Sequence, residues 1–126
     1  MLFRSVGKLA KKYGAVWIID ETHTISMGPG GMTKLLGLKP DMLTIGKAIA
    51  GGLPTGTFGM TKEIADQIAA KVKREIIDTG GIGSTLAGNA LSLAAMKVTL
   101  KEVLNEKNFK KMIERSEEHT SELQSH

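Results

Sequence analysis

The run Thr44-Ile45-Gly46-Lys47-Ala48-Ile49-Ala50-Gly51-Gly52-Leu53-Pro54 sets a single lysine among small and apolar residues, directly ahead of a glycine-rich turn. No solvated face can be drawn around Lys47 from its neighbours. An ammonium held in apolar surroundings loses hydration, sheds its proton more readily and becomes a usable amine nucleophile. The glycines behind it allow close backbone approach and a sharp change of direction. That combination restricts the fold to one in which a short strand ends at a reactive turn.

A second strand points to the same edge. Val16-Trp17-Ile18-Ile19-Asp20-Glu21 is an apolar run that ends in carboxylates. Residues 15–19 read as a strand apolar on both faces, the pattern of a parallel sheet covered by helices. Ligands of open α/β sheets bind beyond the carboxyl ends of the strands, which is where Asp20 falls. Met42–Ile45 is short enough for another buried strand, and it delivers Lys47 just past its end. An Asp from one strand and a Lys from the next suit a cofactor that needs a proton partner and a covalent anchor.

The flanking segments fit an α/β domain. Val6, Leu9, Ala10 and Tyr13 recur at helical spacing, with Lys8, Lys11 and Lys12 opposite and Gly14 as a C-terminal cap. A loop through Gly28-Pro29-Gly30-Gly31 leads to a short helical turn at 33–36 that ends at Gly37, and Pro40-Asp41 restarts the chain. Thr57–Met60 reads as a further strand. Thr61 then caps a helix whose inner face holds Ile64, Ala65, Ile68 and Val72. Residues 75–78 suit a short extended segment. From Asn89 a longer helix should carry Leu93, Met96, Leu100, Val103 and Leu104 inward.

Composition narrows the function classes. The 126 residues carry a formal charge of +4 and no cysteine, so disulfides and Cys-ligated zinc are excluded. The lysines are spread over helices and aromatic residues are scarce, unlike a nucleic-acid surface, which shows a stripe or motif. No apolar stretch nears membrane-spanning length. We expect a soluble, cytoplasmic protein with no nucleic-acid or membrane partner. A lone histidine, His23, within residues 6–114 argues against a metal site.

The ends differ from the rest. Arg115-Ser116-Glu117-Glu118-His119-Thr120-Ser121-Glu122-Leu123-Gln124-Ser125-His126 lacks apolar periodicity and reads as the translation of a common sequencing-library adapter. Met1-Leu2-Phe3-Arg4-Ser5 fits the other adapter strand. Residues 1–5 and 115–126 are therefore expected to be adapter-derived and are set apart from fold reasoning. Residues 6–114 are the expected domain.

Four blocks together resemble the class III (fold type I) pyridoxal-phosphate aminotransferases, the branch that contains glutamate-1-semialdehyde aminomutase. They are Ile18-Ile19-Asp20-Glu21-Thr22-His23-Thr24; Pro40-Asp41 with Thr44-Ile45-Gly46-Lys47; Gly51-Gly52-Leu53-Pro54-Thr55-Gly56; and Gly83-Ser84-Thr85-Leu86-Ala87-Gly88-Asn89. Family members exceed this length several-fold, so the resemblance implies a partial large domain, a mostly parallel sheet with helices on both faces. It implies pyridoxal 5'-phosphate as cofactor, with Lys47 as its Schiff-base anchor and later proton carrier. Asp20 is implied as the partner of the pyridine nitrogen, and Thr85 as a contact to the phosphate of a neighbouring subunit in a homodimer. Thr22 is implied to pack on the ring and His23 to approach its phenolic oxygen, although members often carry Val-Gln or Val-Met there. Glu21 is read as structural support.

The implied activity is amino transfer between a small-molecule amino donor and a carbonyl acceptor, or an intramolecular aminomutase reaction. The alternative is a nucleotide-driven helicase, because Asp20-Glu21-Thr22-His23 after an apolar strand also spells a DExH box. That motor needs a Gly-x-x-x-x-Gly-Lys-Ser/Thr loop, and Gly46-Lys47 has Ala48 after it and Asp41 in place of the first glycine.

Overall fold

The computed structural model describes residues 2–71, 83 and 86–124. Helix α1, Leu2–Lys12, ends where the sequence places a glycine: Ala15 N–H bonds to Ala10 O, and Gly14 N–H to Lys11 O. The same paired closure ends α2, Gly31–Leu35, with Leu38 N–H on Thr33 O and Gly37 N–H on Lys34 O. Both are Schellman caps, which settle the orphan carbonyls of a helix end.

Three strands make one sheet in the order β1, Ile18–Asp20; β2, Met42–Ile45; β3, Thr57–Met60. β1 and β2 are parallel, with Ile18 opposite Met42, Ile19 opposite Leu43 and Asp20 opposite Thr44. Pairing runs past the strand itself, since Glu21 N–H bonds to Thr44 O at 2.8 Å. At the other end the Asp41 carboxylate accepts from Trp17 N–H at 2.8 Å while Asp41 N–H bonds to Trp17 O. The regular strand is thus shorter and later than the expected 15–19.

β2 and β3 are antiparallel, Met42 facing Met60 and Ile45 facing Thr57. β3 is thus an antiparallel neighbour of the parallel pair. The physical reason is the connection: a 3-10 turn at Lys47–Ala50 and the Gly51-Gly52 reversal return the chain directly. A parallel partner would need a longer crossover, usually helical.

Helix α3, Lys62–Lys71, begins with Ala65 N–H on Thr61 O and keeps Ile64, Ala65 and Ile68 half-buried, as read from the sequence. Val72, the segment 75–78 and Thr85 lie outside the described residues. α4, Ala90–Val98, starts on Asn89, whose side chain accepts from Ser92 N–H at 2.9 Å. It passes into a π-helical turn, Thr99–Val103, and then α5, Glu106–Gln124. The π turn corrects the expected inward stripe: Leu93, Leu100 and Val103 stand exposed, Met96 and Leu104 are half-buried, and Thr99 is the residue that buries. A π turn shifts the register of a helix face, so a plain 3.6-residue count misplaces Leu100 and Val103. α5 continues into the polar end because no Gly or Pro interrupts it.

Among the described residues Ile49, Ala50 and Phe109 are the buried apolar ones, and the Lys47–Ala50 turn packs on α4 and the π turn. Replacing the fully buried Ile49 by Ala would cost about 2–5 kcal/mol. The accessible surface is 10141 Å², where a compact chain of 13.5 kDa exposes roughly 6500 Å². Val16, Ile18 and Phe58 on the sheet contribute to that excess.

Candidate active site

Two parallel strands that end level bring their following residues to one edge. Asp20 closes β1 in register with Thr44 of β2. Lys47 follows β2 as the first residue of the 3-10 turn. On a strand successive side chains alternate faces, so Asp20 and Thr44 share a face with Phe58 of β3, the partner of Thr44.

The Asp20 carboxylate is held below the usual carboxylate range. The Thr22 side chain and its backbone N–H (2.8 Å to Oδ1) contribute most, burial opposes them, and the Thr44 hydroxyl and the charge of Lys47 add the rest. Asp20 is ionised at neutral pH. Thr44 was not singled out from the sequence. Aligning the carboxyl ends of the two strands would have found it, because the residue opposite a strand-end Asp can hydrogen-bond it.

Lys47 is the one non-glycine residue with positive φ (49°) among those described. A left-handed backbone at such a residue costs about 1–3 kcal/mol and clusters at functional sites. The turn is held by its apolar members, since Ile49 and Ala50 go inward. Gly46 lets the two loops meet: a Cβ there would stand 3.3 Å from Thr22 Cγ2 and 3.4 Å from Thr55 O. Thr55 Oγ1 is buried in that region without a hydrogen-bond partner among the described residues. Lys47 Nζ reaches His23 Nε2 at 2.6 Å.

One expectation needs correction. Lys47 was expected away from solvent, yet it is exposed, as is Asp20. Each leaves the carboxyl edge of the sheet outward, and the apolar residues around Lys47 fill the core without enclosing its side chain. Asp20, Thr22, His23 and Lys47 nevertheless come together at that edge, while Thr85 is not among the described residues. Glu21 takes the supporting part expected of it: it is 1% exposed and accepts from Thr24 Oγ1, Met32 N–H and Thr33 N–H. A larger cavity of about 660 Å³, lined by Arg4, Trp17, Asp41 and Glu63 among others, includes neither Asp20 nor Lys47. Among the described residues no cluster could hold a metal ion, and no helix is long and apolar enough to cross a membrane.

Comparison with known proteins gives this edge its context. The family model for Aminotransferase class-III matches residues 1–126. A glutamate-1-semialdehyde 2,1-aminomutase of Thermosipho melanesiensis is 43% identical over 108 residues, 85% of this chain and 24% of that protein. A glutamate-1-semialdehyde-aminomutase structure from Pseudomonas aeruginosa, in complex with PMP, superposes with a TM-score of 0.73 at 42% identity, over 81% of this chain and 23% of that one. The taurine:2-oxoglutarate aminotransferase of Bifidobacterium kashiwanohense, in complex with PLP and glutamate, superposes at 0.78 with 25% identity, over 98% of this chain and 27% of that one. The chain spans about a quarter of the length of these relatives. The match takes in both the 18–23 box and Gly46-Lys47, which sets the helicase alternative aside. By its sequence, its partial α/β fold and the ordering of its strand ends, the chain belongs to the class-III aminotransferase family.

Proposed function

We propose that this chain is part of the large domain of a pyridoxal-phosphate enzyme that moves an amino group, either between a small-molecule donor and a carbonyl acceptor or within one molecule. The observation that carries this is the level ending of β1 and β2, with an ionised carboxylate on one and a strained lysine just past the other. The donor set fits the cofactor: Asp20 offers an anion for the pyridine nitrogen and Lys47 an amine for its aldehyde carbon. The close seam at Gly46 admits no larger residue without displacing Thr22 or Thr55.

When bound, pyridoxal phosphate supplies a reactive carbonyl carbon and a conjugated ring that withdraws electrons. Asp20 would pair with the ring nitrogen, and its own bonds from Thr22 and Thr44 keep it ionised for that purpose. Lys47 would hold the cofactor by Nζ, and its amine would carry a proton to or from the substrate carbon. Thr22, packed on Gly46, orients the Asp20 carboxylate through its N–H. Thr85 is proposed for the phosphate of a neighbouring subunit, which makes the enzyme a homodimer. A cytoplasmic location accords with the cysteine-free composition. The two aminomutase relatives quoted make the intramolecular reaction the first to assay.

The test is borohydride reduction of the full-length protein with pyridoxal phosphate, followed by peptide mapping. The cofactor should be found on Lys47. Attachment to any other lysine would refute the assignment.

A further inference from the structure

Lys47 Nζ and His23 Nε2 are 2.6 Å apart. When Lys47 is protonated it presents only donors, so Nε2 then accepts and the ring carries its proton on Nδ1. A doubly protonated imidazolium would leave two donors and two cations facing each other. His23 lies within the reach required of a general base, where geometry comes before any question of acidity.

The contact is built by the backbone on both sides. Thr22, next to His23, and Gly46, next to Lys47, are the residues that meet, with Thr22 Cγ2 3.3 Å from where a Cβ on Gly46 would stand. The loop after β1 is tied down as well, by Ser26 Oγ donating to His23 O at 2.9 Å and by Thr24 Oγ1 donating to Glu21. The left-handed turn at Lys47 fixes where its side chain sets out.

The other charged groups nearby are otherwise engaged. Asp20 acts on Lys47 through charge, with its hydrogen bonds going to Thr22 and Thr44. The Glu21 carboxylate is committed to the start of α2 and to Thr24. Lys34 sits on α2, the helix packed on the turn after His23. Among the described residues His23 is the one base in hydrogen-bond contact with Nζ.

We propose that His23 is the general base for Lys47, taking the proton that Nζ must release when it bonds to a carbonyl carbon. This rests on Lys47 being the anchoring amine. The amine lone pair forms the nitrogen–carbon bond, and the carbonyl π pair moves onto oxygen. One N–H bond of Nζ breaks, and its proton passes to Nε2, making an imidazolium that gives it to the oxygen. The second N–H proton follows the same route through Nε2, so the oxygen leaves as water when the carbon–nitrogen double bond closes. No oxidant or reductant enters. In the reverse direction the same imidazole returns the proton to Nζ as the lysine is freed.

Wild-type, His23→Gln and His23→Leu full-length proteins, stripped of cofactor, separate a base from a mere holder. Gln keeps an acceptor but cannot carry the proton; Leu does neither. Two rates are read: covalent attachment of added pyridoxal phosphate to Lys47, trapped by borohydride at timed intervals, and acylation of Lys47 by p-nitrophenyl acetate without cofactor, followed by peptide mass. Both variants should slow both rates by at least about tenfold, below the 10²–10⁴-fold of a fully committed base. A wild-type rate in His23→Gln would show holding without proton transfer and overturn the proposal. Unchanged rates in both variants would overturn it too. If pyridoxal phosphate never attaches to wild-type Lys47 while the acylation contrast holds, the cofactor assignment falls and the base stands.

Discussion

Asp20 and Glu21 are neighbours in sequence with opposite fates. Strand alternation sends consecutive side chains to opposite sides, and here the two sides differ in kind. Glu21 goes under the chain, 1% exposed, and its oxygens are used by Thr24, Met32 and Thr33. Burial alone would push its carboxyl up, but those bonds outweigh it and leave it below the ordinary value. Asp20 goes to the open edge, with its bonds drawn from its own turn and from Thr44, and the charge of Lys47 beside it. A carboxylate whose acceptors are all taken is structure. One that is ionised, fixed and still accessible is available for chemistry.

The strongest way to break that contrast is at the group that shares Asp20's edge. Lys47→Ala in the full-length protein should leave the fold intact, since the side chain is exposed, and abolish borohydride-trapped cofactor. Turnover should fall by at least about 10²–10⁴-fold, the range for acid–base catalysis alone. Asp20→Asn comes next. With its side chain exposed it should leave the denaturation midpoint unchanged while turnover drops on the order of 10²–10³-fold, as when one electrostatic partner of a reacting centre is lost. A loss of stability without loss of rate would reverse the roles assigned to the two carboxylates.

Glu21→Ala should show the converse. Removing the acceptor strands Met32 N–H and Thr33 N–H, and one buried unpaired donor costs about 1–3 kcal/mol. Urea unfolding should report at least that, with Glu21→Gln losing less. The pH dependence has a definite sign. The folded-state value lies below the ordinary 4.5, so the unfolded chain binds the proton first. The contribution of Glu21 is full above 4.5, and it is lost as pH falls through the lower folded value. Glu21→Gln should flatten that acid limb. A wild-type limb that survives in the variant would assign it to another group.

Much of this was legible before any coordinates, for physical reasons that can be named. Gly14 and Gly37 end helices because a Schellman cap needs a left-handed residue there, and sequence shows that need. Asp20 and Lys47 could be placed at strand ends because an apolar run must stop where a charge begins. The direction of β3 could not be read, since Gly51-Gly52 permits a reversal without dictating one. The positions of Leu100 and Val103, just past α4, were misjudged because a π turn carries no sequence mark of its own. The exposure of Lys47 was missed for a different reason. Small apolar neighbours describe what surrounds the backbone, whereas a long side chain can leave them behind. The contact between His23 and Lys47 joins residues far apart in sequence, and only the meeting of Thr22 with Gly46 reveals it.

The smallest expected effect comes from a pair that imitates the site without belonging to it. Lys62 and Asp66 lie one helical turn apart on α3, with Nζ 2.5 Å from the carboxylate and side chains 82% and 64% exposed. On distance alone this is a closer lysine–carboxylate pair than any at the edge of the sheet. It differs in kind: both partners are on one helix, and the lysine backbone is unstrained. Exposed pairs at this spacing are worth about 0.3–0.5 kcal/mol, and salt screens them further. Lys62→Ala should therefore move the urea midpoint by an amount near the limit of detection and leave cofactor attachment at Lys47 untouched. If Lys62→Ala instead slowed attachment as much as His23→Leu, proximity of opposite charges would suffice to explain both, and the distinction between the two kinds of carboxylate would collapse.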